Sequence, residues 1–141
     1  MKYFTLEEME KSIIADKKGI ANKIPLKYKK NYMYLIDNIL DKIREEYGNA
    51  IHVNSGYRCQ ELNKAVGGVE TSQHTCYGNS AAADIDTNRG REYNKVLFHL
   101  IKNMIQRGEI KVDQLINENN FLWIHIGLKI DGKNRNQILS L

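Results

Sequence analysis

The sequence predicts an α+β fold in which N-terminal helices pack on a small antiparallel sheet. Three observations carry this. Apolar residues recur at helical spacing from Leu26 to Tyr47 and from Arg91 to Gln106. They alternate with other residues from Ala81 to Asp86 and from Phe121 to Leu128, as half-buried strands do. Helices come first and strands dominate later, an order that suits segregated helices and strands rather than repeated βαβ units.

Thr5 followed three residues later by Glu8 is a capping box. Leu6, Met9, Ile13 and Ile14 then predict one short amphipathic helix from Leu6 to about Asp16, ended by Gly19. Pro25, the only proline, suits the opening of a second helix. That helix carries Tyr32, Leu35, Ile36, Ile39, Leu40 and Ile43 as one stripe and closes at Gly48. Ile51 to Ser55 reads as a short strand, Gln60 to Val66 as a helical turn, and Ala81 to Asp86 as a strand. In the third helix Val96, Leu97, Leu100, Ile101 and Met104 are expected inside, with Gly108 as the stop. Two strands follow, Lys111 to Ile116 and Phe121 to Leu128, and Gln137 to Leu141 adds an edge strand. No repeat or linker interrupts the 141 residues, so residues 1–141 are expected to form one domain.

Hydrophobic residues make up 42% and charged residues 27%, the balance of a water-soluble protein, and no apolar run reaches membrane-spanning length. MKYFTLEEMEK places acids where a secretory signal needs an apolar run, so synthesis in the cytoplasm is expected. A net charge of +4 suits an anionic partner, either nucleic acid or the bacterial wall. The aromatic-basic pattern of a nucleic-acid binder is missing, which argues against the first. Cys59 and Cys76 lack a CxxC spacing and read as reduced thiols.

Of the four histidines, His52 and His99 lie among apolar neighbours and read as structural. His74 stands in a loop of small and polar residues, where backbone can approach an ion or substrate closely. In FLWIHIGL, strand parity sends Leu122, Ile124, Ile126 and Leu128 to the core and Trp123, His125 and Gly127 to the other face. With Asp84 these histidines make a set that zinc accepts, since catalytic zinc takes imidazole and carboxylate ligands and keeps one position open. By chemistry alone that set is one of many in such a chain.

The strings SGYRCQELNKAVGG (55–68), SQH (72–74), AADI (82–85), DQLINE (113–118) and WIHIG (123–127) occur in order. Together with YFTLEEM and IANKIP they resemble the zinc D-Ala-D-Ala carboxypeptidase and L-alanyl-D-glutamate endopeptidase family, in particular its phage-associated branch. The likeness runs from Tyr3 to about Leu128, and the family shares its fold with the hedgehog signalling domain. The resemblance implies a zinc peptidase that hydrolyses peptidoglycan stem peptides through a metal-activated water. His74, Asp84 and His125 would be its zinc ligands. Arg58 would bind the substrate carboxylate or polarise its carbonyl, with Ser55 and Asn63 supporting the substrate end of the cleft.

A proton acceptor completes such a site. Glu118, at the end of DQLINE, is the first choice. A tight hairpin centred on residue 119 would instead set Asp113 across from His125, either to orient that imidazole or to act as the base itself. The position three residues before the last histidine, acidic in some relatives, is Leu122 here. The loop between His74 and Asp84 is three residues longer than the family pattern, which brings Asp86 and Cys76 forward as substitute ligands. The motifs leave open which bond is cut, and a non-catalytic zinc module that binds cell wall or protein is the alternative. The expected state is a monomer acting on the cell wall, encoded by a phage or its host.

Overall fold

A computed structural model describes all 141 residues. Two short helices, α1 (Leu6–Glu10) and α2 (Ile13–Lys18), precede a long helical segment made of α3 (Leu26–Leu35), a π-helical stretch (Ile36–Leu40) and α4 (Asp41–Tyr47). Strand β1 (His52–Ser55), helix α5 (Gln60–Ala65), a 3-10 turn (Gln73–Thr75) and β2 (Ser80–Asp86) follow. Helix α6 (Arg91–Gln106) then leads to β3 (Gln114–Glu118), β4 (Trp123–Lys129) and β5 (Gln137–Ser140).

The expected α+β class holds, with one sheet in the order β1-β2-β4-β3-β5. The sheet is mixed rather than wholly antiparallel. β5 turns back past β4 and adds to the edge as a parallel partner of β3, Leu115 beside Ile138. Tyr32, Leu35, Ile36, Ile39, Leu40 and Ile43, the predicted stripe of the long helix, are all buried. They join Ile85, Leu97, Ile101, Ile124, Ile126 and Leu128 in a cluster of 26 core residues. No helix is long and apolar enough to cross a membrane.

Four expectations need correction. The first predicted helix is two, because Lys11 is extended and the Ser12 side chain accepts a hydrogen bond from Ala15 N, starting α2 afresh. That restart leaves Ile13 74% exposed and Ile14 43% exposed instead of turning them inward. In α6, Val96 faces out and Phe98 and Ile105 face the core. Strand β3 begins and ends later than predicted, because Asn119, Asn120 and Phe121 all take positive φ and form a wider turn than a tight hairpin. Leu122 falls in that turn and is 42% exposed, outside the alternation that buries Ile124, Ile126 and Leu128.

Candidate metal centre

β4 pairs with β2 so that His125 stands opposite Asp84. Residues paired across antiparallel strands share a face, so both side chains leave the sheet on the same side. The Oδ1 atom of Asp84 lies 2.9 Å from His125 Nδ1. Ser55 is brought opposite Asp84 by an irregularity in β1, where Asn54 is the extra residue.

His74 arrives from the 3-10 turn, whose first turn Ser72 caps. Arg58 N donates to His74 O at 2.9 Å, and the buried Tyr32 hydroxyl lies 3.2 Å from the same carbonyl and 3.0 Å from Ala82 O. The long helix therefore holds the turn and β2 together. The lengthened loop is absorbed beyond His74, where Cys76, Gly78 and Asn79 take positive φ and Asn31 Nδ2 donates to Ser80 O. His74 and Asp84 meet although Asp84 follows ten positions after His74. Cys76 is buried in the core, and burial pushes its thiol up to about 12. Asp86 instead accepts from Asn88 N in the turn after β2.

The ligand atoms of His74, Asp84 and His125 all lie within 4.8 Å of one another, and the two imidazole centroids are 5.2 Å apart. Two ligands at about 2.1 Å on a tetrahedral zinc stand about 3.4 Å apart. The observed separations from Asp84 Oδ1 are 3.4 Å to His74 Nε2 and 2.9 Å to His125 Nδ1. His74 Nδ1 is 2.6 Å from Gly56 O, which fixes the ring proton on that nitrogen and leaves Nε2 as a lone pair. That Nε2 is buried with no hydrogen-bond partner. A buried unpaired acceptor beside a carboxylate is costly unless something binds it, so the residues present fit a cation. Protonation points the same way. Burial lowers the His74 pKa, favouring the neutral imidazole. Burial pushes the Asp84 carboxyl up, but the two imidazoles outweigh that and hold it well below the usual carboxylate range.

A cleft of about 520 Å³ opens beside this group, lined by Ser55, Arg58, Asp84 and Trp123 and walled by Ile13, Ile14, Leu62 and Val66. Arg58 Nε is buried without a partner, and burial lowers the pKa of its guanidinium while Asp84 opposes that. Asn63 is not brought to the cleft. Its Nδ2 donates to Val69 O at 2.8 Å, and its Oδ1 packs where a Gly68 side chain would stand. His52 lies exposed on edge strand β1, and His99 lines a separate cavity against α6 with Glu46 and Arg107.

The two acids proposed for proton transfer have different surroundings. Glu118 pairs with Trp123 across β3 and β4 and is part-exposed. Asp113 is not across from His125, because the wide turn shifts the register and places Ile116 there. Asp113 is fully buried and receives Arg135 Nε at 3.0 Å, a second Arg135 nitrogen at 2.9 Å and Gln73 Nε2 at 2.8 Å. Neither histidine touches it through a hydrogen bond. The Ile13–Ile14 wall and the Gln73–Asp113–Arg135 cluster carry no local signal in the sequence. SQH contains Gln73, but nothing local marks Arg135 as its neighbour.

No curated protein and no solved structure matches the chain. The family model described as Peptidase M15 matches residues 2–126, a span that contains all three grouped side chains, Arg58 and Glu118, and the chain belongs to that zinc-dependent peptidase family.

Proposed function

We propose that residues 1–141 form one zinc peptidase domain that hydrolyses peptidoglycan stem peptides, with His74, Asp84 and His125 holding the metal. The observation that carries this reading is the convergence of the three ligand atoms within 4.8 Å beside a cleft that also receives Arg58. When bound, zinc would supply Lewis acidity at the scissile carbonyl and acidify a water. Asp84 contributes the negative charge of the ligand set, and the Gly56 carbonyl keeps the His74 ring turned toward it. Arg58, with an unpartnered Nε and a guanidinium fork, binds the substrate carboxylate or the oxygen on which charge develops. Ser55, opposite Asp84, offers a hydroxyl at the same end of the cleft.

Glu118 is the general base of this reading, taking a proton from the attacking water and passing it to the leaving amine. Its part-exposed place next to Trp123 supports that role. Asp113, sealed from solvent by Arg135 and Gln73, is better suited to positioning than to proton transfer.

Purified protein incubated with peptidoglycan, with and without a chelator, tests the proposal, and mass spectrometry of the released muropeptides identifies the bond. Hydrolysis that stops with chelator and returns with zinc is expected. Undiminished hydrolysis in the chelated sample overturns the metal mechanism. Stoichiometric zinc with no cleavage of any muropeptide would favour a binding module that keeps the same site.

A further inference from the structure

Metal binding through His125 Nδ1 has a consequence on the far side of that ring. His125 turns Nδ1 toward Asp84, so in a metal complex the remaining ring proton sits on Nε2 and needs an acceptor. For His74 the equivalent acceptor is Gly56 O. For His125 no backbone carbonyl takes that place. The side chain that approaches the same side of the ring, over Gly127, is Gln73.

Gly127 makes the approach possible. A Cβ at that position would stand 1.9 Å from Gln73 Oε1 and 3.3 Å from His125 Nε2, so the two atoms converge on the space that glycine leaves free. Gln73 Oε1 is buried and has no hydrogen-bond partner. The carboxamide orientation is set from behind, because Gln73 Nε2 donates to Asp113 Oδ2 at 2.8 Å and a carboxylate can only accept. Asp113 is fixed in turn by two nitrogens of Arg135. The acceptor end of Gln73 therefore faces Gly127, the space that His125 Nε2 also borders.

We infer that Gln73 is a positioning residue for the metal centre: its Oε1 accepts the His125 Nε2 proton, and the Arg135–Asp113 pair holds it in that orientation. This rests on the zinc-site reading above. It assigns a role to Arg135, which lies beyond the residues matched by the family model. Outer partners of this kind orient the ligand ring and raise its basicity, and losing one weakens metal affinity by roughly 10–100-fold.

Zinc affinity, measured by competition with a chromophoric chelator, reads this without any hydrolysis assay. Gln73→Met keeps the side-chain length and removes the acceptor, and binding weaker by about 10–100-fold is expected. Asp113→Asn alone should weaken binding too, because an asparagine amide can turn the Gln73 carboxamide around and present a donor to His125. The double variant Gln73→Glu, Asp113→Asn restores donor to acceptor at both contacts and should recover most of the affinity. Wild-type affinity in Gln73→Met overturns the inference alone, whereas a wild-type chain that binds no zinc overturns the metal site with it. A long-range proton–nitrogen NMR spectrum of the zinc-loaded wild-type protein is independent of any variant. Zinc on His125 Nδ1 with a slowly exchanging Nε2 proton is expected, and zinc on Nε2 overturns the relay.

Discussion

Asp84 faces His125 across two central strands, with its Oδ1 2.9 Å from the imidazole Nδ1. Strand pairing rather than loop conformation sets that distance, so two of the three grouped side chains are placed by neighbouring inner strands of the sheet. Replacing Asp84 with Asn keeps the shape and removes the charge. Zinc affinity should then fall by more than the roughly 100-fold of an outer-partner loss, while the metal-free protein keeps its fold. Retention of stoichiometric zinc at wild-type affinity in Asp84→Asn, measured by competition titration, would refute its place in the set.

Glu118→Gln separates proton transfer from metal binding. The substitution preserves size at the end of β3, so zinc content should stay stoichiometric while hydrolysis drops by about 10²–10⁴-fold. Single-turnover rates on a muropeptide, beside zinc analysis of the same sample, check both halves. Full activity in this variant would remove Glu118 as the base.

Asp113 predicts a pH effect that involves no metal ligand. Burial raises its pKa, but hydrogen bonds from Arg135 and Gln73 outweigh that, so its folded pKa lies below the ordinary value. A depressed folded pKa means that the unfolded chain binds the proton more readily. The contribution is complete above about pH 4 and is lost as pH falls further, through the folded value. Chelated wild-type protein should lose stability over that range, and Asp113→Asn should flatten the dependence while costing about 1–3 kcal/mol at pH 7. Urea unfolding at several pH values measures both, and parallel curves for the two proteins would contradict the ion-pair account.

Much of this grouping is legible in the sequence. The alternation Ile124, Ile126, Leu128 against Trp123, His125, Gly127 is a period of two, which strand geometry converts directly into two faces. His74 and Asp84 are marked by their motifs, and the long loop between them still lets them meet because positive-φ residues at Cys76, Gly78 and Asn79 turn the chain back, with residues 77–79 exposed and Cys76 in the core. What failed depended on single residues acting non-locally or on turn geometry. Three consecutive positive-φ residues at Asn119–Phe121 moved the β3–β4 register and took Asp113 away from His125. The partner that explains Asp113, Arg135, lies 22 residues on and reaches it only because β5 doubles back beside β3. Asn63 sits inside a recognised motif yet serves the Gly68 loop, since a motif records that a residue is needed and not which way it points.

The break at Ser12 leads to the last prediction. Periodicity alone runs one helix from Leu6 to Asp16 and buries Ile13 and Ile14. The Ser12 cap starts α2 afresh instead and sets both isoleucines on the wall of the cleft that Trp123 also lines. Ser12→Ala removes the hydrogen bond to Ala15 N at a cost of about 1 kcal/mol. In a helix of six residues that loss should fray the first turn and loosen the wall. The three grouped side chains come from the 3-10 turn, β2 and β4, so zinc affinity should be unchanged. The cost then falls on substrate binding: KM should rise several-fold with kcat largely retained, and Ile13→Asp, which adds a charge to an apolar wall, should raise it further. Steady-state kinetics on a defined muropeptide, with zinc content as the control, distinguish the cases. A kcat loss with unchanged KM would mean that α2 shapes the reacting centre rather than the binding wall.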